Sequence, residues 1–346
     1  MFLISCIILQ TLSFVSCQKK TEKFSNYSFD YFDTVSTITG YAESKEKFDA
    51  ISADFLTELG EYHKLFTIYQ RYEGMENLCT INEWKDGEHR TVKVDERIMD
   101  MLLFSKEMHE KTGGKVNIAM GSVLSVWHSY REAGMEDPQN AELPPMDVLR
   151  EAALHTDINA LILDEENGTV TITDPKMTLD VGAIAKGYAV EMVARSLEAQ
   201  GISGYVLNVG GNIRTIGPKA DGTKWTVGIE NSFEEQLEEK PFLTYLYIEG
   251  ESVVTSGSYQ RYYIVDGKNY HHIIDSETLM PADKYRSVSV VCRDSALGDA
   301  LSTALFCMDM EQGKALVQSL ENVEVLWVFE DGREVRTDGF DAYATR

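Results

Sequence analysis

Arg261-Tyr-Tyr-Ile-Val-Asp-Gly-Lys-Asn-Tyr-His-His-Ile-Ile274 reads as two short strands folded about Asp266-Gly267. That dipeptide tolerates the left-handed backbone of a tight hairpin turn. Leu161–Thr173 repeats the arrangement around Glu166-Asn-Gly168. Outward from these hairpins, strands are expected at Tyr205–Val209, Trp225–Glu230, Tyr245–Ile248, Val253–Thr255, Ser287–Cys292 and Val323–Phe329. A first strand is read across Ser28–Tyr41 from Phe29, Tyr31, Val35 and Ile38. Helical spacing runs through Phe48–Tyr62, from Met146, and over Ala296–Met308. Another helix starts at an Asp95 N-cap, carries Ile98, Met101, Leu102 and Met108, and stops at Gly113-Gly114. Glu132–Pro145 is expected to be a loop. Strand pairs closed by tight turns, with inserted and flanking helices, indicate an α+β fold of largely antiparallel sheets in one large unit.

The chain has 346 residues, enough for a large core, and its 43% hydrophobic and 10% aromatic content are those of a folded protein. Its formal charge is 32 − 56 = −24, with no basic block, so binding of nucleic acid through its phosphates is excluded as a function class. Any polyanion this chain handles must be met by a few placed Lys or Arg residues or by a metal ion.

Residues 1–16 form an apolar run ending in Ser16-Cys17, of signal-peptide rather than membrane-span length. Phe14-Val-Ser-Cys17 resembles a bacterial lipobox, although Phe14 replaces the usual Leu and no Lys or Arg precedes the run. Cys17 is therefore the expected lipidation site, with residues 17–27 a polar tether. Export and an anchor on the outer face of a membrane, or in a periplasm, follow; a buried N-terminal strand is the alternative. Cys79, Cys292 and Cys307 have neither zinc-site nor disulfide-framework spacing, and the last two read as buried small hydrophobes.

Five segments carry chemistry. Asp180-Val-Gly-Ala-Ile-Ala-Lys-Gly-Tyr188 places a carboxylate, small residues and Lys186 on a turn into a helix, after a strand end at Thr178-Leu179. Such a turn suits an anion such as phosphate, or it merely packs a helix on a sheet. Tyr205-Val-Leu-Asn-Val-Gly-Gly-Asn-Ile213 puts Asn208 inside an apolar strand; Gly210-Gly211 allows close approach to a ligand or forms a β-bulge. Thr255-Ser256-Gly257 offers hydroxyls, and His271-His-Ile-Ile-Asp275 closes the opening hairpin, with His272 either a general base or structural. Asp299 and Thr303 share a helix face beside Ser302, as hard oxygen donors suited to Mg²⁺ or as acids complementing a helix dipole. Lys115–Trp127 follows the glycine stop, with Trp127 read as core.

In this order the segments resemble the ApbE family of FAD:protein FMN transferases, from about Phe32 to the helix ending near Cys307. The resemblance implies one catalytic unit over residues 28–346 that cleaves FAD and attaches FMN, through its phosphate, to a threonine or serine of an acceptor protein. It implies Mg²⁺ held by the Ala183 carbonyl oxygen, Asp299 and Thr303, with Ser302 where some members have another ligand. It implies FAD contacts from Phe32, Tyr69, Lys115, Val116, Asn117, Asp180, Lys186 and Ile273, extended by Asn208, Thr255, Ser256, Gly257 and Asp275, with His272 as base. The acceptor it implies is a membrane-associated redox subunit, such as those of sodium-pumping quinone reductases. Asn117 stands where the family usually has Asp, and Ser276 and Leu279 replace its usual Pro and Gly.

That chemistry is consistent with the residues. A cation set would screen the pyrophosphate, and an imidazole of ordinary pKa, about 6.5, would take the hydroxyl proton. His271, one residue away on an extended segment, would face the opposite side. Two rivals use the same pocket: an FAD pyrophosphatase releasing FMN and AMP, and a non-catalytic flavin-binding lipoprotein.

Overall fold

The computed structural model describes residues 20–83 and 90–345. The apolar segment 1–16 and Cys17 lie outside them. The elements in chain order are β1 (Glu22–Ser28), β2 (Ser36–Ala42), α1 (Lys45–Phe66), α2 (Leu78–Ile81), β3 (Arg90–Lys93), α3 (Glu96–Lys111), α4 (Gly121–Glu136) and α5 (Met146–Ala153). β4 (Leu161–Asp164), β5 (Thr169–Ile172), α6 (Ala185–Ala199), β6 (Tyr205–Val209), β7 (Asn212–Ile216), β8 (Trp225–Glu230), β9 (Phe242–Ile248) and β10 (Ser252–Gly257) follow. The chain ends with β11 (Tyr262–Val265), β12 (Lys268–His271), β13 (Ser287–Cys292), α7 (Ser295–Cys307), α8 (Met310–Gln318), β14 (Glu324–Val328), β15 (Glu334–Arg336) and α9 (Asp341–Ala344).

Eight strands make one antiparallel sheet in the order β1-β2-β6-β7-β10-β13-β14-β15. Alternation along its inner strands separates two cores. Val288, Val290, Val325 and Trp327 face the helical side with α1, α6 and α7, whereas Val291, Leu326 and Val328 face the β8–β9 hairpin. Glu191 of α6 ties this layer together from a buried position. It pairs with Arg214 of β7 (3.1 Å) and Arg195 (2.9 Å) and accepts from the Ser295 N–H at the start of α7 (2.9 Å).

A second, smaller module packs α4 and α5 against the β11–β12 hairpin around Val123, Trp127, Leu149 and Tyr263. Trp127 is core, as expected, and its Nε1–H donates to the Leu279 carbonyl at 2.8 Å.

Four expectations need correction. Residues 22–27 are not tether: they form β1, and Phe24 packs against Phe48 of α1, which gives that segment an apolar reason to pair. Ser28–Tyr41 is not one strand, because Phe32 and Asp33 take left-handed backbone (φ 55° and 50°) and separate β1 from β2. Gly210-Gly211 is not a β-bulge, although Gly210 does line the cavity described below. Both glycines have positive φ (56° and 90°), and they form the two-residue turn between β6 and β7. The expected loop from Glu132 begins only after Glu136, since α4 continues to that residue.

Cys292 and Cys307 are buried, and burial pushes both thiols up, Cys307 to about 12. Among the described residues no helix is long and apolar enough to cross a membrane.

Candidate active site

The segment before α6 is stitched to residues 118–121 instead of ending a strand at Thr178-Leu179. Asp180 N–H donates to the Ile118 carbonyl (2.8 Å), and Gly121 N–H donates to the Thr178 carbonyl (3.0 Å). The side chain of Asn82 clasps both backbone groups of Leu179 at 2.7 and 2.9 Å. Asp180 Oδ1 accepts from Gly182 N–H (2.8 Å) and closes the turn; burial pushes this carboxyl up. Lys186 Nζ then lies 3.4 Å from the Gly182 carbonyl and 3.8 Å from Asp299 Oδ2.

Gly187 lets α6 touch α7. Its N–H donates to Asp299 Oδ2 at 2.8 Å, and an added Cβ would lie 2.3 Å from the Ser295 carbonyl oxygen and 2.4 Å from Asp299 Cβ. Backbone on one side of that clash cannot swing away as a side-chain tip can. Gly187→Ala should therefore lower stability by about 1–3 kcal/mol, an ordinary overpacking cost. A urea unfolding midpoint equal to wild type would show that the two helices are free to part.

From the sheet side, β10 presents Thr255-Ser256-Gly257. Thr255 Oγ1 is 2.8 Å from Ser289 Oγ, and Ser256 Oγ is 2.8 Å from Ser302 Oγ and 3.4 Å from Thr303 Oγ1. His272 follows β12, its N–H donating to the Arg261 carbonyl (3.1 Å). His271 points the other way, as expected: its Nε2 bonds the Ala282 carbonyl (2.7 Å) and its ring stands edge-on to Phe306. Burial, followed by the charges of Arg261, His271, Lys186 and Arg131, depresses the His272 imidazole to about 3. The ordinary value of about 6.5 expected from sequence is corrected on that ground.

These elements enclose a cavity of about 690 Å³ between the helical side of the main sheet and the α4/β11–β12 module. Tyr69, Lys115, Val116, Asn117, Asp180, Ala183, Lys186, Thr255, Ser256, Gly257, His272, Ile273, Asp299 and Thr303 all line it. Segments more than 230 positions apart in sequence converge there. Among the cavity's polar atoms, His272 Nδ1 and Asn212 Nδ2 are buried without a hydrogen-bond partner among the described residues. Buried polar atoms are normally paired, so both suit a bound polar molecule.

Four expected site residues sit behind the wall. Phe32 is held by α1, its N–H donating to His63 Nδ1 at 3.2 Å, while its neighbours Asp33 and Thr34 reach the cavity. Asn208 Oδ1 accepts from Gly211 N–H (3.0 Å) and braces the glycine turn. Asp275 accepts from Glu277 and Thr278 N–H groups and pairs with buried Lys115 at 3.2 Å. Ser302 is buried and bonds Ser256 and the Asp299 carbonyl.

The sequence profile of the ApbE family matches residues 32–327. This chain belongs to the ApbE family. An FAD:protein FMN transferase of Klebsiella pneumoniae (strain 342) is 31% identical over 281 residues, 77% of this chain and 81% of that protein. One from Treponema pallidum (strain Nichols) is 33% identical over 257 residues, 70% of this chain and 68% of that one. The crystal structure of the ApbE protein from Thermotoga maritima MSB8 aligns with a TM-score of 0.79 at 25% identity, over 94% of this chain and 100% of that one. The flavin transferase ApbE from Vibrio cholerae aligns with a TM-score of 0.77 over the same shares; at 23% identity it speaks for the fold alone. The α+β architecture read from the hairpins is the ApbE fold.

In this ApbE chain Leu279 takes left-handed backbone (φ 60°), a conformation that glycine adopts more freely. It is buried beside Trp127, whose hydrogen bond to its carbonyl holds the turn. Asn117 caps the short turn at 118–120, accepting from Ala119 N–H and donating to the Thr156 carbonyl (both 2.9 Å). The sequence reading missed His128, Arg131, Asn212 and Arg261, which also line the cavity. A signal for α4 was present: Met120, Val123, Leu124 and Trp127 have helical spacing and place His128 and Arg131 together on its next turn.

Proposed function

We propose that this ApbE flavin transferase binds FAD in the 690 Å³ cavity and passes its FMN part to a threonine or serine hydroxyl of a redox protein, releasing AMP. The observation that carries this reading is His272: a buried imidazole with an unpartnered Nδ1, in one cavity with Lys186 and Asp299. The acceptor oxygen forms the new bond to the FMN phosphorus as the pyrophosphate bond to AMP breaks. His272, neutral at pH 7, takes the hydroxyl proton. Lys186 supplies positive charge beside the phosphates.

The residues present fit a Mg²⁺ ion. The Ala183 carbonyl oxygen, Asp299 and Thr303 are hard oxygen donors on one cavity wall, and the close contact at Gly187 brings the α6 turn onto Asp299. Ser302 stands behind Ser256 and supports it from there. When bound, the ion would neutralise pyrophosphate charge.

The reading is tested by incubating the full chain with FAD, Mg²⁺ and an acceptor domain carrying a target threonine. Flavin fluorescence on the denatured acceptor, with one AMP released per label, is the expected result. AMP without label would mean that water is the acceptor, and neither product would make the protein a binder.

A further inference from the structure

Two arginines of the cavity wall have no carboxylate within 4 Å among the described residues. Arg131, half-buried on α4, donates from its guanidinium to His128 Nδ1 at 2.7 Å. His128 Nε2 is held by Glu132 at 2.9 Å, which leaves Nδ1 as a lone-pair acceptor. Arg131 is thus oriented by an imidazole nitrogen, not neutralised by an acid. Arg261, which precedes β11, donates to the backbone carbonyl of Asp33 at 3.3 Å, a neutral acceptor. Among the described residues neither guanidinium has a carboxylate within 4 Å. Glu132 and Asp180 act on Arg131 from farther away, while burial and the charge of Arg261 make its protonated form harder to keep. Both side chains face the cavity that holds Lys186 and His272.

The chain has 56 acidic against 32 basic residues, so an unpaired cation in a half-buried position is not what composition supplies by default. Arg131 is held half-buried beside the like charge of Arg261, which is itself exposed, and that placement costs stability. That cost is offset when an anion with several oxygens bridges them, and guanidinium forks match phosphate oxygens in pairs. We propose that Arg131 and Arg261 form a clamp for a phosphate group of the bound dinucleotide, an assignment that rests on the FAD reading of this cavity. His128 and the Asp33 carbonyl hold the two forks apart and aimed until the phosphate arrives.

The clamp is tested by measuring binding of FAD, FMN, AMP and riboflavin to the full chain and to its Arg131→Gln and Arg261→Gln variants. Each variant should bind FAD, and at least one of FMN and AMP, roughly 10–100-fold more weakly, the worth of a charge-assisted hydrogen bond. Riboflavin, which has no phosphate, should be unaffected, and the variants should unfold no earlier than wild type. The salt dependence of FAD affinity should also flatten in both. Unchanged FAD affinity in both variants, or an equal loss for riboflavin, overturns the clamp while leaving the cavity an FAD site. A wild-type chain that binds none of the phosphate ligands overturns the FAD reading, and the clamp with it.

Discussion

Asp299→Ala should reduce flavin transfer by about three orders of magnitude or more while leaving a folded protein. The carboxylate is the only anionic donor in the proposed Mg²⁺ set, and a bound cation supplies several kcal/mol of charge stabilisation to a transferring phosphoryl group. Asp299 also accepts the Gly187 N–H at 2.8 Å in a position only 4% exposed. Losing that acceptor leaves a buried donor unpaired, at about 1–3 kcal/mol. Asp299→Asn separates the two effects, because an amide oxygen still accepts from Gly187. Labelling should fall in both variants, and stability mainly in the alanine one. The check is acceptor labelling against Mg²⁺ concentration, alongside urea unfolding. Wild-type labelling by Asp299→Asn at low Mg²⁺ would remove this carboxylate from the reaction.

The second large effect is expected at His272. His272→Ala should slow transfer by about 10²–10⁴-fold, the usual worth of a positioned base. FAD affinity should change little, since the proposed binding rests on the α6 turn and the cations. His271→Ala is the control, because its ring bonds Ala282 and faces Phe306, away from the cavity. With the His272 imidazole depressed to about 3, the free enzyme should show no loss of kcat/KM through pH 6.5 from this group. A phosphate set among Arg131, Arg261 and Lys186 would partly cancel the charges that depress it.

Stability gives an independent reading of the same burial. Unfolded histidine titrates near about 6.5 and folded His272 near 3, so between those values the unfolded chain binds the extra proton. Stability contributed by the neutral ring is therefore present above pH 6.5 and lost progressively as pH falls towards 3. His272→Ala should flatten that slope; an unaltered slope would show that the ring is not held neutral.

Much of the fold was legible because its turns are chemically local. Asp266-Gly267 and Asn167-Gly168 mark their hairpins through residues that tolerate positive φ, whatever the rest of the chain does. The Gly210-Gly211 pair carries the same signal, but a glycine pair at the end of an apolar strand is equally consistent with a β-bulge or a close approach to a ligand. Phe32 and Asp33 gave no such sign: nothing in a Phe announces left-handed backbone. Gly187, Lys186 and Asp299 were legible as a motif, yet their contact depends on how closely α6 and α7 pack. The position of Arg131 on α4 was legible from helical spacing, but its interest as a site residue was not, because that lies in having no carboxylate within 4 Å among the described residues. That property exists only after folding has placed every carboxylate.

The cavity also has a thermodynamic consequence for the whole molecule. One wall, with Thr255, Lys186 and Asp299, belongs to the main sheet and its helices; the other, with Arg131 and Ile274, belongs to the smaller packed module. A ligand spanning both works as a cross-brace between two hydrophobic cores. Its binding energy is credited to the docking of the modules as well as to either core, so occupancy resists their separation. At a hundred times its dissociation constant such a ligand adds about 2.7 kcal/mol against unfolding. FAD bound as proposed would, on those terms, also be a transient part of the scaffold.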